Sequence, residues 1–258
     1  MKFGLIGHPI EHSLSPALFK AGYNGLYPYD LIITEDFEEA YRRFMDGYDG
    51  INGTAPFKEL ALRKADIISE ECRLGGAANI LIKSPQGITA YNSDFRGLVA
   101  MFRGLKGDIP LSDHEKTVLI VGAGGAGKAA KAASEALGYE TTVINRTQYN
   151  PEIKPLSAFR EEFRKADIVI YNLPVRIPEI DMLTETDLCP GKEKVILEAN
   201  YRNPSFDNEL IQRMVDVNPL ISYIDGREWL LQQAVTGYEL FTGETPDYEA
   251  MKEVIKSK

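Results

Sequence analysis

Residues 117–138 read TVLIVGAGGAGKAAKAASEALG. An apolar β-branched run, a turn of small residues and an alanine-rich stretch follow one another without a break. Gly122, Gly124 and Gly127 fall on G-x-G-x-x-G, and the strand–turn–helix setting gives that short pattern its weight. The first glycine makes the tight turn. The second lets a pyrophosphate approach the backbone, and the third lets helix and strand pack closely. Open N–H groups at the helix start, from Gly125 and Ala126 onward, then face the phosphates. The stretch predicts a Rossmann dinucleotide-binding domain. A P-loop also matches from Gly122 to Lys128, but the Ser or Thr it needs for magnesium is Ala129 here, which argues against a nucleotide triphosphatase.

The end of the next strand chooses the cofactor. An NAD site usually carries Asp or Glu there, about 20 residues on, to accept from a ribose hydroxyl. This chain has Asn145, Arg146 and Thr147 instead. A guanidinium offers a fork to a 2′-phosphate, which a carboxylate would repel. The pattern predicts NADP, with a solvated surface arginine as the bland alternative.

Working outward, the same alternation of strand-like and helix-like segments occurs twice. KFGLIG, SPALFKAGY, YDLIIT, EDFEEAYRRFMDG, GINGT and PFKELALRKAD form a βαβαβα series before the glycine turn. ETTVINRT, FREEFRKA, DIVIYNLP and KVILEANY continue the second series after it. Such alternation predicts α/β architecture with mainly parallel sheets covered by helices. Between the series, GLVAMFRGLKGDIPLSDHEKT reads as a helix and then a Gly/Pro/polar linker. The expected domains are 1–102, completed by 229–258, and 103–228. The two helices predicted at the end, EWLLQQAVTGYELFTG and DYEAMKEVIKSK, follow the second series and need something to pack on.

Composition narrows the function. The chain has 258 residues, enough to bury a sizeable core. A net charge of −9 without a basic block excludes nucleic acid and anionic membranes as natural partners. No apolar run approaches the roughly 20 residues that span a bilayer. The N-terminus, MKFGLIGHPIEH, reads as a first strand and loop and not as a signal peptide. Cys72 and Cys189 are far apart and in no paired motif, which fits a reducing cytoplasm. His8, His12 and His114 have no metal-ligand spacing, so no metal is expected.

Four stretches of the first half carry possible chemistry. In HSLSP, Ser15 before Pro16 makes a good N-cap, so structure alone accounts for it. Ser13 has no such account, and two hydroxyls at a helix start can hold a carboxylate. In NGTAPFKE, Pro56 suits the first turn of a helix, and Lys58 falls in that turn. The positive helix end disfavours a charged lysine, which tends to lower its pKa and suits it to proton transfer. A lone lysine more commonly bends into solvent, so Lys58 needs a partner. In GGAANILI, Asn79 closes a small-residue turn before a strand. In YNSDFRG, Asp94 precedes a helix and is either an N-cap or the group that tunes Lys58. Spacing does not show that the two meet.

The ordered set HSLSP, NGTAPFK, GGAANILI, YNSD, VGAGGAGKAA, NRT and DGREWLLQQA covers nearly the whole chain and resembles the shikimate dehydrogenase family. Any one motif is weak, while the ordered set is specific. The resemblance implies an N-terminal substrate domain, a Rossmann NADP domain and C-terminal helices that return to the first domain. By position it implies Lys58 and Asp94 as the catalytic pair and Ser13 and Ser15 as holders of a substrate carboxylate. Thr54, Asn79 and Gln233 would bind ring hydroxyls, and Tyr201, in EANYRNP, would stand near the substrate. Gly122, Gly124, Gly125, Ala126, Gly127, Asn145, Arg146 and Thr147 would hold the cofactor. The implied activity is reversible NADPH-dependent reduction of 3-dehydroshikimate to shikimate by a cytoplasmic monomer or homodimer.

Several positions depart from the family pattern. Gly53 stands where valine is usual and is expected to loosen the strand end near Thr54. Phe95 follows Asp94 where glycine is usual. Asn150 replaces a second basic residue, and Asn172-Leu173-Pro174-Val175 replaces N-A-T-S. These leave room for a quinate dehydrogenase using NAD. A catalytically silent NADP-binding sensor is the rival from another class, and retention of Lys58 and Asp94 argues against it.

Overall fold

The computed structural model describes residues 1–108 and 116–257. Residues 109–115, which fall in the stretch expected to hold the Gly/Pro/polar linker and include His114, lie outside the described residues. The chain divides into one unit of Met1–Ala100 with Leu230–Lys258 and another of Met101–Trp229.

The first unit holds β1 (Phe3–Gly7), α1 (Ser15–Gly22), β2 (Tyr29–Ile33), α2 (Phe37–Gly47), β3 (Gly50–Gly53) and α3 (Lys58–Arg63). β4 (Ile67–Ile68), α4 (Glu70–Gly75), β5 (Ile80–Ser84), β6 (Gly87–Tyr91) and the start of α5 (Ser93–Asp108) follow. Its sheet runs β2-β1-β3-β5-β6-β4. β1 pairs in parallel with β2 and β3, and β4 with β6, whereas β5 is antiparallel to both β3 and β6. β1, FGLIG, is buried at every position, as a parallel strand covered on both faces must be. Alternating side chains feed two cores. Ile6, Ile32, Phe44, Ile51 and Leu81 face one. Phe3, Leu18, Phe19 and Ile80 face the other, joined by Leu231, Tyr238, Phe241 and Met251.

That second core gives the terminal helices their place. The latter part of α11 (Gly226–Thr242), with α12 (Tyr248–Lys256), covers the sheet beside α1. Phe241 stacks on Phe3 with ring centroids 4.9 Å apart. Gly50 makes this possible, since a Cβ there would lie 2.6 Å from the Phe241 ring. Each fully buried phenylalanine contributes about 2–3 kcal/mol.

The second unit is a Rossmann-type sheet of five parallel strands, β11-β10-β9-β7-β8. Its elements are β7 (Thr117–Val121), α6 (Gly125–Ala136), β8 (Glu140–Ile144), α7 (Phe159–Lys165), β9 (Ile168–Tyr171), α8 (Pro178–Asp181), α9 (Glu185–Leu188), β10 (Lys194–Glu198), α10 (Asn208–Val217) and β11 (Ile221–Ile224). The chain passes from β7 to β8 on one side and then to β9 on the other. The order therefore reverses beside β7, and ligands of open α/β sheets bind at such a switch point. Among the described residues no helix is long and apolar enough to cross a membrane.

Candidate active site

Lys58 and Asp94 meet. Nζ lies 2.5 Å from Asp94 Oδ2, with the two side chains 15% and 8% exposed. The local frame differs from the expected one in two details. Lys58 is the first residue of α3, and Pro56 sits in the turn before it. Asp94 is not the N-cap of α5. Asn92 takes that role, its Oδ1 accepting from Phe95 N–H at 3.1 Å and its Nδ2 donating to Ala77 O. The Asp94 carboxylate is thereby released from helix capping and available to Lys58.

Ser13 and Ser15 also meet, with Ser13 Oγ donating to Ser15 Oγ at 3.1 Å and accepting from Ser15 N–H at 3.2 Å. Ser15 is the first helical residue of α1 and not its N-cap, which is Leu14. Helix ends shift by a residue with small changes of backbone angle. Asn79, buried, locks the start of α5: its Nδ2 donates to Ser93 Oγ at 3.0 Å and its Oδ1 accepts from Ser93 N–H at 2.7 Å. One amide hydrogen of Asn79 remains for a ligand. Thr54 is held through its backbone, donating to Ile6 O at 3.2 Å and accepting from Phe57 N–H at 2.9 Å, and its methyl lies over Gly7. Gln233 sits where α11 crosses α5. A Cβ at Gly97 would come within 2.6 Å of Gln233 N, so the glycine lets α11 approach one turn beyond Asp94. Gly53 is buried in β3 and donates to Asn79 O at 2.8 Å.

In the second unit, Tyr201 lies on the segment after β10 that Glu198 secures. The fully buried Glu198 carboxylate accepts from Ser205 N–H at 2.5 Å, Phe206 N–H at 3.1 Å and Tyr223 Oη at 2.9 Å. Nothing in the sequence pointed to Glu198, because its partners are set by how the chain turns back.

The glycine turn fits a dinucleotide. Gly122 adopts φ +101°, which favours glycine. A Cβ at Gly127 would lie 1.9 Å from Gly122 O, while one at Gly124 would meet nothing within 4 Å. The turn is closed behind Gly127 and open over Gly124, the face a pyrophosphate needs. Gly124 is the N-cap of α6, so Gly125 and Ala126 begin the helix with free N–H groups. Asn145 Oδ1 accepts from Ala123 N–H at 3.4 Å, and its Nδ2 donates to Thr147 O at 2.9 Å. Arg146 is exposed, and no carboxylate stands among Asn145, Arg146 and Thr147. Asn150 accepts from Glu152 N–H at 2.9 Å and serves its own turn. Tyr149, absent from the sequence reading, donates to Ala123 O at 3.0 Å and ties the same loop to the glycine turn.

A glycine turn at the switch point of a parallel sheet, joined in one chain to a unit bearing a buried Lys–Asp pair, defines a two-domain dinucleotide-dependent oxidoreductase. Comparison with known proteins narrows the class. Residues 5–81 match the shikimate dehydrogenase substrate binding domain, and 226–256 the shikimate 5′-dehydrogenase C-terminal domain. Residues 103–218 match the NAD binding domain of D-isomer specific 2-hydroxyacid dehydrogenases. The shikimate dehydrogenase (NADP(+)) of Caldanaerobacter subterraneus subsp. tengcongensis is 31% identical, over 99% of this chain and 96% of that one. The Haemophilus ducreyi enzyme of the same name is 30% identical, over 100% and 97%. The Thermus thermophilus shikimate 5-dehydrogenase, solved with NADP(H) and shikimate, superposes with a TM-score of 0.80 at 27% identity, covering 100% of this chain and 99% of that one. The chain belongs to the shikimate dehydrogenase family.

Proposed function

We propose that this chain catalyses the reversible NADPH-dependent reduction of 3-dehydroshikimate to shikimate, with Lys58 and Asp94 handling the proton. The observation that carries the reading is the 2.5 Å contact between these two residues, brought together from different helices in the unit that also holds Ser13, Ser15, Thr54, Asn79 and Gln233.

NADPH, when bound, supplies the hydride. Lys58 donates a proton to the oxygen that gains charge as the carbonyl is reduced. Charge grows on that oxygen only during transfer, so a donor fixed beforehand lowers the barrier. Asp94 keeps Lys58 Nζ in one place and accepts from the neighbouring substrate hydroxyl. Ser13 and Ser15 donate to the carboxylate at the start of α1. Thr54, Asn79 and Gln233 bind ring hydroxyls, and Tyr201 stands near the substrate. Gly122, Gly124, Gly125, Ala126 and Gly127 receive the pyrophosphate, and Asn145, Arg146 and Thr147 the 2′-phosphate. The enzyme acts on a small molecule in the cytoplasm.

Steady-state oxidation of shikimate and of quinate, each with NADP and with NAD, tests the reading. Shikimate with NADP is expected to dominate kcat/KM. Dominance of quinate with NAD would replace both substrate and cofactor. Absence of turnover with any pair, while NADP still binds, would make the chain a binding protein.

A further inference from the structure

We propose that Asn200 is a positioning residue that holds Tyr201 against the loop bordering the glycine turn. The inference rests on the functional reading above, in which Tyr201 stands near the substrate. The other substrate and proton residues of that reading lie in the first unit, and Tyr201 is the one carried by the second. Its placement relative to the glycine turn is therefore set within one unit.

Two loops leave neighbouring strands there. β9 and β10 are parallel partners, and residues 172–177 follow the first while 199–207 follow the second. Asn172 N–H donates to Val121 O at 2.8 Å, and a Cβ at Gly122 would lie 3.0 Å from Leu173 Cδ2. The first loop thus starts against the glycine turn. Glu198 secures the second loop at Ser205 and Phe206, beyond Tyr201. Next to Tyr201 the holding is done by Asn200. Its Nδ2 donates to Asn203 O at 2.7 Å and to Pro174 O at 3.3 Å. Its Oδ1 accepts from Arg202 N–H and Asn203 N–H, both at 3.3 Å. The Arg202 guanidinium in turn lies over the Tyr201 ring, 5.7 Å from its centroid. Farther along, Arg176 Nη1 joins the same two loops, 2.5 Å from Asp207 Oδ2.

The hydrogen-bond count assigns the role. A side-chain amide has two hydrogens and an oxygen with two lone pairs. Asn200 gives both hydrogens to carbonyls and takes two N–H groups on its oxygen, so it has nothing left for a substrate. It is a support and not a ligand. Three of its bonds bend the chain locally, as asparagine does in turns. The bond to Pro174 O does not serve that bend. It reaches 26 residues back and joins the loop of Tyr201 to the loop at the glycine turn. Reaction geometry is sensitive to displacements of about 1 Å, so the position of Tyr201 governs turnover of a substrate beside it.

The test is Asn200→Asp, alone and combined with Tyr201→Ala. Aspartate keeps both acceptor bonds but cannot donate to Pro174 O or Asn203 O. Steady-state oxidation of shikimate with NADP is the readout, with NADPH fluorescence titration and thermal unfolding as controls. Asn200→Asp is expected to lower kcat/KM for shikimate about tenfold, with KM for NADP and NADPH affinity unchanged. In the Tyr201→Ala background it is expected to cost nothing further, because the group it positions is gone. Additive losses overturn the inference, and so does an unchanged kcat/KM in Asn200→Asp. A loss confined to NADPH affinity places Asn200 on the cofactor side and overturns it too. If Tyr201→Ala turns shikimate over like wild type, the inference falls while Lys58 and Asp94 keep their roles. Failure of wild type to turn over overturns the functional reading and this inference with it. Should Asn200→Asp fail to fold, Asn200→Ala removes the same two donors without adding charge and is read the same way.

Discussion

Lys58 Nζ and Asp94 Oδ2 stand 2.5 Å apart at the starts of α3 and α5, 36 residues from each other in the chain. Both side chains are largely shielded, at 15% and 8% exposed. Lys58→Ala is expected to lower kcat by about 10²- to 10⁴-fold with little change in KM, as for loss of a general acid. Asp94→Asn keeps the shape but removes the charge that holds Nζ, and is expected to lower kcat by about 10- to 100-fold. Retained kcat in Lys58→Ala would remove the lysine from the proton step.

Gly124 and Gly127 separate cofactor binding from folding. A methyl at Gly127 collides with Gly122 O, so Gly127→Ala is expected to cost about 1–3 kcal/mol of stability. A methyl at Gly124 meets no protein atom but stands in the opening over the turn. Gly124→Ala is expected to melt like wild type and to lose about tenfold or more in NADPH affinity. Unfolding curves and fluorescence titration decide it. Full affinity in Gly124→Ala would put the pyrophosphate elsewhere.

Arg146 is the proposed seat of the 2′-phosphate, and in the same loop Asn150 Oδ1 accepts from Glu152 N–H. Arg146→Ala is expected to weaken NADPH about 10- to 100-fold, the range of a charge-assisted hydrogen bond, and to leave NADH affinity unchanged. An equal loss for both cofactors would make Arg146 a contact to the shared part of the molecule.

Local features were legible in the sequence. The glycine turn was readable because strand, turn and helix are contiguous and each glycine answers a backbone requirement within six residues. The terminal helices were legible as helices, and their attachment to the first unit came from resemblance. Lys58 and Asp94 were nameable separately, but only the family likeness paired them. Tyr29 with Asn52, at a separation of 23, and Tyr238 with Ser15, at 223, left no local signal. These contacts depend on which strands adjoin and where α11 lands. Caps were misread by one residue at Ser15 and by two at Asp94: Leu14, which has no capping side chain, precedes α1, and Asn92, as good a capping residue as aspartate, precedes α5.

Asp187 gives the second unit an acid limit. It is fully buried, with Arg160 and Arg164 nitrogens each 2.7 Å from its oxygens and the Thr184 hydroxyl at 2.8 Å. Burial alone would raise this carboxyl. Hydrogen bonds from Arg164, the Thr184 backbone and Arg160 outweigh it and hold the group well below the usual carboxylate range. A depressed folded value means that the stabilisation is complete above the unfolded aspartate value of about 3.9 and fades as pH falls toward the folded one. Asp187→Asn is expected to cost about 3 kcal/mol at neutral pH and to flatten the loss of stability below about pH 4. Denaturant melts of both proteins at pH 7 and pH 3 measure it. An unchanged slope with pH would assign the acid limit to other carboxylates.

Gly53 offers a stabilising change next to the site. A Cβ there meets only the Ile6 side chain, at 3.6 and 3.9 Å, which is ordinary contact. Its φ lies outside the left-handed region, so alanine adopts the same backbone without strain. Gly53→Ala restricts the unfolded chain and fills a buried gap, and is expected to add about 0.4–1 kcal/mol. The hydrogen bonds from Gly53 N–H to Asn79 O and from Thr54 N–H to Ile6 O are both backbone groups and survive the change. KM for shikimate is therefore expected to stay at the wild-type value while the melting temperature rises. A raised KM with a raised melting temperature would show that the glycine keeps the Thr54 end of β3 adjustable, and that this freedom serves binding.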